Sequence, residues 1–182
     1  MSDAVALPPE QVVEEEPHVP TRRLLVFNIG DSSFACDMDS FREIVPMQHI
    51  TRLPGAPDTV RGLINLRGTI VTVIDGGTSL GKTARGRAEG LILLVDYFDR
   101  WIGIGVDDVR DIQDVAIDQF GAADQAEIPL VGAVTGAVEI EGKRVLVLDI
   151  KTVVQQVIGQ GREGEQYSAG LRRRGVHADD GK

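Results

Sequence analysis

The sequence predicts an all-β fold of two similar small barrels followed by one C-terminal helix. Three observations support this prediction: a hydrophobic content of 42% with only 4% aromatic residues, short aliphatic runs bounded by glycine or aspartate, and an internal repeat. Branched aliphatic side chains pack well on pleated sheets, so such a core favours strands. A repeated pattern indicates two copies of one structural unit. With 182 residues, the chain is long enough for two small lobes with real cores.

Both ends of the chain are predicted to be disordered tails. Residues 1–21 combine four prolines with five acids and no Lys or Arg, and residues 159–182 are rich in glycine and charge without apolar periodicity. Such segments bury too little apolar surface to offset the entropy of ordering them. The folded body is therefore predicted to span residues 22–158.

Five segments of the body have the length of strands and are bounded by turn residues, and one segment has the pattern of a helix. The helix is predicted for Ile150 to Ile158, with Asp149 as its N-cap and Gly159 just past its end. The predicted strands are Leu24 to Ile29, Ile70 to Ile74, Leu91 to Val95, Trp101 to Val106 and Val145 to Leu148.

The internal repeat divides the body into two copies. Asp39 to Ile44 matches Asp107 to Ile112 at an offset of 68 residues. Gly62 to Gly68, with the strand after it, matches Gly136 to Gly142 at an offset of 74, so the second copy carries a six-residue insertion. Each copy is predicted to contain two strands joined by a turn, a short helical turn of DxxRxI type and a hairpin. The glycine that ends each hairpin segment is predicted to have positive φ, since tight turns need it.

The repeat predicts lobe one at about residues 22–75, a linker at about 76–89 and lobe two at about 90–158. Antiparallel sheets this small usually close or pack on a partner to hide their edges, so two barrels side by side are expected. The groove between two such lobes is a common docking place for a peptide or a partner element.

Charge and hydropathy argue against several classes of partner. The formal net charge of −9 disfavours nucleic acid and anionic membrane surfaces, because both attract clustered Lys and Arg. No apolar run approaches the roughly 18 residues of a spanning helix, and the N-terminus lacks the pattern of a signal peptide. We therefore expect a cytoplasmic protein with no nucleic-acid partner and no direct membrane insertion.

One motif favours a different function. Gly76 to Thr83 satisfies the phosphate-loop pattern GxxxxGK[ST] after an apolar strand, and Leu91 to Asp96 imitates the strand that carries a magnesium-binding aspartate. However, a phosphate loop must open a helix, and residues 84–90 contain two glycines and no apolar face. The distance to the next strand is also too short for a βαβ crossover. A small P-loop nucleotide-binding protein is therefore kept as the alternative function.

Other enzymatic sites have little support in the sequence. Cys36 is the single cysteine, which excludes an internal disulfide and a multi-thiolate zinc site, and only His49 lies in the body to form a nucleophile pair with it. Cys36 lies within a predicted strand, where a small buried hydrophobe is expected. Phe98 and Trp101 flank a hairpin turn and are predicted to be core or edge residues. No catalytic residue, metal site or cofactor is predicted.

Several segments together resemble the CheW family of bacterial chemotaxis coupling proteins. The resemblance covers nearly all of residues 22–158, and its most specific part is GLINLRGTIVTVID at residues 62–75, which contains an Asn-Leu-Arg-Gly hairpin. Further matching segments are Leu25 to Gly30, Phe41 to Ile44 and Ile50 to Pro54. The resemblance implies two SH3-like, five-stranded β-barrels, in agreement with the repeat.

The resemblance to this family also implies a function and partners. It implies a non-catalytic adaptor that links the cytoplasmic tips of methyl-accepting chemoreceptors to the regulatory domain of the histidine kinase CheA. Such an adaptor would be cytoplasmic and associated with receptor arrays at the inner face of the membrane.

The implied protein-binding site lies in the first copy. Arg67 in the hairpin and Glu43 fall where the family places receptor- and kinase-coupling residues, and Asn65 and Gly68 belong to the same hairpin. The apolar residues implied as nearby contacts are Phe41, Ile44 and Val45.

Two features depart from the family pattern. Gly76 and Gly77 stand where leucine and a polar or basic residue are common, which predicts a looser link between the lobes. In the second copy, Glu139 and Glu141 occupy the positions of the first hairpin's asparagine and arginine. This charge inversion predicts that only the first hairpin makes an arginine-mediated contact.

Overall fold

The computed structural model describes residues 19–83 and 89–159, which fold mostly as β-strands. The strands are β1 Thr21–Ile29, β2 Ser32–Asp37, β3 Glu43–Pro46, β4 Val60–Leu66, β5 Thr69–Asp75, β6 Leu91–Tyr97, β7 Arg100–Val106, β8 Asp108–Ala116, β9 Val134–Ile140 and β10 Lys143–Leu148. Two α-helical segments accompany them in the described residues: α1 Gly76–Ser79 and α2 at residues 150–159.

The ten strands form two five-stranded sheets. Sheet I has the order β8-β1-β2-β10-β9, and sheet II has the order β3-β6-β7-β5-β4. The predicted all-β class with two five-stranded units is confirmed. The internal repeat is also present in the fold, because β1 to β5 correspond in order to β6 to β10, and under that correspondence the two sheets have the same strand order.

The predicted division into contiguous lobes is wrong. β1 and β2 fall in the predicted lobe one at residues 22–75, yet they lie in sheet I with β8, β9 and β10. β6 and β7 fall in the predicted lobe two at residues 90–158, yet they lie in sheet II. The strand pair that opens each copy, β1–β2 or β6–β7, is thus exchanged into the sheet of the other copy.

Two parallel strand pairs hold this exchange in place. β2 pairs with β10 at Ala35↔Val147, and β5 pairs with β7 at Thr72↔Ile102. Each exchanged hairpin therefore lies between strands of the other copy, so neither of its strands is left as a free sheet edge. Parallel partners lie far apart in sequence, which is why the local repeat pattern did not predict them.

Buried apolar side chains form three clusters that hold the fold together. The largest contains residues of both sheets, such as Phe27 of sheet I and Ile104 of sheet II. The two smaller clusters belong to one sheet each, around Val26 in sheet I and Val71 in sheet II. Full burial of an aliphatic side chain contributes about 1.5–3 kcal/mol, so the shared cluster joins the two sheets into one body.

Helix α2 adds to the cluster between the sheets. The Asp149 carboxylate accepts the Lys151 N–H at 3.0 Å and the Thr152 hydroxyl at 2.8 Å, which confirms the predicted N-cap. Val154 of α2 is fully buried in the cluster. Gly159 is still helical, so the predicted end before it is wrong, and the residues after it lie outside the described part. No helix in residues 19–83 or 89–159 is long and apolar enough to cross a membrane.

The predicted boundaries need small corrections at both the N-terminal tail and the linker. Thr21 pairs with Ala116, so β1 begins inside the predicted tail of residues 1–21. The rest of that tail, residues 1–18, and the C-terminal tail from residue 160 lie outside the described residues. The predicted linker begins with α1, whose Gly76 and Gly77 are buried, so this part is not the loose connection that the two glycines predicted. Residues 84–88 lie outside the described part.

The hairpin glycines of the two copies agree with the repeat, whereas the predicted helical turns differ between the copies. Gly68 and Gly142 have φ of 87° and 70°, which confirms the predicted positive φ of both hairpin glycines. The predicted helical DxxRxI turn exists only in the first copy, as the 3-10 turn Met38–Ser40. The matching residues of the second copy extend into β8 instead, because they pair with β1.

One further bridge brings the two edges of sheet II together. Thr51, in the segment after the edge strand β3, exchanges backbone hydrogen bonds of 2.9 and 2.8 Å with Leu63 of the opposite edge strand β4. The bridge shows that sheet II curves, so the beginning of β3 lies near the turn between β4 and β5. The same arrangement recurs in sheet I, where Gly121 pairs with Ala137.

Candidate functional site

The structure brings Glu43 and Arg67 together at one end of sheet II. Glu43 begins β3, and Arg67 lies in the two-residue turn between β4 and β5. The Arg67 Nη1 atom lies 3.5 Å from each carboxylate oxygen of Glu43. The Arg67 side chain is 75% exposed, whereas that of Glu43 is 35% exposed. The two coupling residues implied by the family resemblance are thus adjacent in space, although 24 positions separate them in the sequence.

Arg67 occupies a backbone conformation that normally favours glycine or asparagine. Its φ is 52°, in the left-handed region, and Gly68 follows with φ of 87°. Two-residue hairpin turns with positive φ at both positions prefer Asn-Gly or Gly-Gly. The Asn65 Oδ1 atom accepts the Gly68 N–H at 2.8 Å and so braces the turn. The hairpin therefore holds an arginine where the backbone alone would favour a smaller residue.

The ion pair leaves hydrogen-bonding capacity unused. A guanidinium carries five N–H donors, and among the described residues Arg67 donates only to Glu43, at a long 3.5 Å distance. On the other side, Glu43 Oε1 is buried and has no hydrogen-bond partner within residues 19–83 and 89–159. Such an exposed ion pair contributes only about 0 to 1 kcal/mol to stability. The exposed guanidinium can therefore donate hydrogen bonds to acceptors of another molecule.

The three apolar residues of the predicted site have different environments. Val45 is only 6% exposed and packs in the sheet II cluster, so we assign it to the core. Phe41 and Ile44 are half-buried and pack against the cluster shared by both sheets, which leaves part of each side chain accessible. The accessible members of the predicted site are therefore Phe41, Glu43, Ile44, Asn65, Arg67 and Gly68.

The segment that matches the phosphate-loop pattern does not form a phosphate cradle. Helix α1 has only four residues, and the Asp75 carboxylate caps it by accepting the Thr78 N–H at 2.8 Å. The amides of Leu80 and Lys82 are hydrogen-bonded to carbonyls of the same segment. A Cβ atom at Gly76 would collide with the carbonyl oxygen of Gly105, so this glycine serves close packing. The place where a phosphate would sit is thus occupied by a carboxylate, which repels an anion.

The possible nucleophile pair is not assembled either. Cys36 lies in β2 of sheet I and is fully buried, and burial raises the pKa of its thiol to about 12. His49 is exposed in the segment after β3, which belongs to sheet II. Within residues 19–83 and 89–159, no group of three His, Cys, Asp or Glu side chains is arranged to hold a metal ion.

Comparison with known proteins identifies the family. The model of the CheW-like domain matches residues 23–157, which is most of the chain. The chain belongs to the CheW-like domain family. The resemblance described from the sequence is therefore confirmed.

Similar CheW-like proteins come from several bacteria. The chain is 31% identical to a "Chemotaxis protein CheW" of Rhizobium meliloti over 134 residues, which are 72% of this chain and 86% of that protein. It is 27% identical to a "Chemotaxis protein CheW" of Klebsiella aerogenes over 128 residues, covering 70% of this chain and 77% of that one. The crystal structure of the scaffolding protein TtCheW from Thermoanaerobacter tengcongensis has the same fold, with a TM-score of 0.67 at 24% identity over 76% of this chain and 91% of that one.

The second CheW-like hairpin carries the inverted charge that the sequence predicts. Glu141 occupies the same turn position as Arg67 and has φ of 51°. Its carboxylate lies 3.6 Å from the guanidinium of Arg110 in β8. The two hairpins thus have the same backbone shape and opposite charge, so a partner that binds the first hairpin through its arginine cannot bind the second in the same way.

Two exposed apolar residues near the first hairpin were not assigned to the site from the sequence. Phe98 is 86% exposed and Ile70 is 58% exposed, so the prediction that Phe98 is a core or edge residue is wrong. Trp101, in contrast, packs against the sheet II cluster with the Arg42 guanidinium 4.9 Å above its ring. An aromatic residue in a turn does not reveal its exposure from the sequence, because exposure depends on whether another part of the chain covers it.

Proposed function

We propose that this chain is a non-catalytic adaptor that couples methyl-accepting chemoreceptors to the regulatory domain of the histidine kinase CheA. It acts in the cytoplasm, in receptor arrays at the inner face of the membrane. Membership of the CheW-like family supports this role, as do the names of its relatives, which are chemotaxis and scaffolding proteins. The single observation that carries the site is the exposed Arg67, held on a strained turn beside Glu43.

The chemistry of this site suits protein recognition. The Arg67 guanidinium is planar and can present two parallel N–H donors to a carboxylate or to backbone carbonyls of a partner. Glu43 orients the guanidinium through the ion pair at 3.5 Å. Arginine is among the residues that most often dominate binding energy at interfaces. The proposed contact therefore rests on the N–H donors of Arg67, whose side chain is 75% exposed.

Binding measurements with purified partners test the proposal. The full-length chain is titrated with the kinase regulatory domain and, separately, with a cytoplasmic tip fragment of a chemoreceptor from the same bacterium. We expect binding to both, and we expect Arg67→Ala to weaken at least one of the two interactions by tenfold or more.

Arg23→Ala provides the matched control for this measurement. Arg23 also forms an exposed ion pair, at 2.9 Å to Asp114, but it lies in sheet I away from the first hairpin. We expect this variant to bind like the wild type. Absence of binding to both partners by the wild-type chain would contradict the proposed function.

A further inference from the structure

A cavity of about 540 Å³ lies at the end of sheet II opposite to the Arg67 hairpin. The segment between β3 and β4 lines most of it, and Arg61 of β4 and Asp75 of β5 form its floor. Asp75 is the last residue of β5, whereas Arg67 precedes the first, so about 20 Å of strand separates the cavity from the coupling site. The volume is in the range of small-molecule sites, which is about 300–1,000 Å³.

The floor of the cavity consists of two oppositely charged side chains that are nearly buried. The side chain of Arg61 is 11% exposed and that of Asp75 is 6% exposed. The distance between Arg61 Nε and Asp75 Oδ2 is 3.7 Å, which is longer than a hydrogen bond. The other oxygen, Oδ1, accepts the Thr78 N–H at 2.8 Å and caps α1. A buried ion pair with a long contact is weak evidence for a stabilising role.

A glycine of the neighbouring strand β7 makes room for the guanidinium. A Cβ atom on Gly105 would lie 2.9 Å from Arg61 Nη1 and 3.4 Å from the terminal methyl group of Met47. Gly105 is also the register partner of Asp75 in the parallel pair of β5 and β7. The guanidinium therefore reaches from β4 across β5 to β7, underneath the cavity.

The internal repeat shows that the fold does not require this arginine. At the offset of 74 residues, Asp149 corresponds to Asp75 and Thr135 corresponds to Arg61. Asp149 caps α2 and accepts the Thr152 hydroxyl at 2.8 Å, while the Thr135 hydroxyl donates to a backbone carbonyl of β10 at 3.2 Å. The capping aspartate of the second copy thus has a threonine where the first copy has an arginine. The cavity, which Arg61 lines, therefore provides a reason for the arginine.

The charges that line the cavity balance one another. Two arginines, Arg52 and Arg61, stand against two aspartates, Asp58 and Asp75, so the formal charge is zero with His49 counted as neutral. Arg52 and Asp58 are exposed at the opening. A ligand with two negative charges, such as phosphate, would meet two carboxylates without any surplus of positive charge. The lining therefore fits a ligand with at most one negative charge.

The rest of the wall is largely apolar. Leu53 lies beside the two arginines in the lining and is 40% exposed. Small-molecule sites commonly combine apolar walls with a few charged groups that fix the orientation of the ligand. The cavity thus fits a ligand with an apolar body and one charged end. The apolar lining residues are Met47, Ile50, Leu53, Ala56, Pro57 and Val60.

We propose that this cavity binds a small monocarboxylate with an apolar body. The carboxylate pairs with the guanidinium groups of Arg61 in the floor and Arg52 at the opening, because a guanidinium matches the geometry of a carboxylate. The apolar body packs on Leu53 and its apolar neighbours in the wall. This site is separate from the Arg67 hairpin, and the proposal does not depend on the adaptor function.

An NMR titration of the isotope-labelled full-length chain tests the proposal. The probe is sodium benzoate, which has one carboxylate on an apolar ring. Benzamide has the same ring without the charge, and inorganic phosphate has charge without an apolar body. At constant ionic strength, we expect benzoate to give saturable shifts at the cavity residues, with a Kd of about 1–10 mM for so small a ligand. We expect no saturable shifts with benzamide or phosphate.

Two variants and one matched control show whether the arginines bind the carboxylate. Arg61→Met keeps the length of the side chain and is expected to abolish benzoate binding. Arg52→Gln changes an exposed residue, so it is expected to melt like the wild type and to bind benzoate at least about threefold more weakly. Arg144→Gln removes a 56% exposed arginine of sheet I and is expected to bind benzoate like the wild type. If Arg61→Met fails to fold, Arg52→Gln decides the question.

Saturable benzoate shifts that map to the cavity and weaken in Arg52→Gln support the proposal. Four results would overturn it: no saturable shifts with benzoate, shifts that map outside the cavity, equal binding of benzamide or phosphate, or unchanged benzoate binding by Arg52→Gln. None of these results bears on the binding of kinase or receptor through Arg67.

Discussion

Replacing Arg67 by glycine separates the structural and the binding roles of the first hairpin. Three terms set the expected change in stability. A non-glycine residue in the left-handed region costs about 1–2 kcal/mol, which glycine avoids. Glycine loses about 0.5–1 kcal/mol through extra chain entropy, and loss of the exposed pair with Glu43 costs about 0 to 1 kcal/mol. The net change in unfolding free energy is therefore between about −1 and +1.5 kcal/mol.

The corresponding change in melting temperature is small. For a chain of this size, 1 kcal/mol shifts the melting temperature by roughly 2–4 °C. Binding should respond differently, because truncation of a hot-spot arginine costs about 2 kcal/mol or more, and tenfold in affinity is about 1.4 kcal/mol. We expect Arg67→Gly to melt between about 4 °C below and about 6 °C above the wild type and to bind the kinase domain or receptor fragment at least tenfold more weakly.

The assay pairs thermal denaturation with calorimetric titration of the same samples. A large drop in melting temperature with unchanged affinity would show that Arg67 stabilises the turn and does not contact a partner. Unchanged melting and unchanged affinity would move the site to the accessible apolar residues Phe41 and Ile44.

Three further predictions follow from the described contacts. Lys82→Ala should leave coupling intact, and the wild-type chain should not bind ATP with magnesium in equilibrium dialysis. The reason is that the Asp75 carboxylate already occupies the N-terminus of α1, where a phosphate would bind. Loss of coupling together with measurable ATP affinity would support the nucleotide-binding alternative. The buried thiol of Cys36, whose pKa is raised to about 12, should react with a thiol reagent at pH 8 only when the chain unfolds, and rapid labelling of the folded chain would contradict its burial. The contribution of this thiol to the free energy of unfolding should fall as pH rises from about 9 toward 12, because the thiol of the unfolded chain ionises first. Removal of residues 1–18 and of residues 160–182 should each shift the melting temperature by less than a few degrees, and a larger fall after either truncation would show that the removed segment packs on the body.

Features encoded by neighbouring residues could be predicted from the sequence. The five proposed strands all exist, because each is a short aliphatic run with its own turn residues at the ends. Asp149 caps α2 as predicted, since capping depends only on the next few residues. The family resemblance named Glu43 and Arg67 as site residues, and the structure places their side chains beside each other.

Features set by distant parts of the chain could not be predicted in this way. The exchange of hairpins depends on the parallel pairs β2 with β10 and β5 with β7, which leave no local signature in the sequence. The exposure of Phe98 and Ile70 depends on how far sheet I covers sheet II. The sequence of the turn also gives no sign that Arg67, as well as Gly68, has positive φ.

Sedimentation of receptor-containing vesicles tests the central claim most directly. Vesicles that carry a chemoreceptor are mixed with the kinase, with and without the full-length chain, and the kinase in the pellet is measured. The proposed function predicts that the chain itself sediments with the receptor and that the kinase sediments only when the chain is present. Equal sedimentation of the kinase without the chain, or a chain that stays in the supernatant, would contradict the adaptor role.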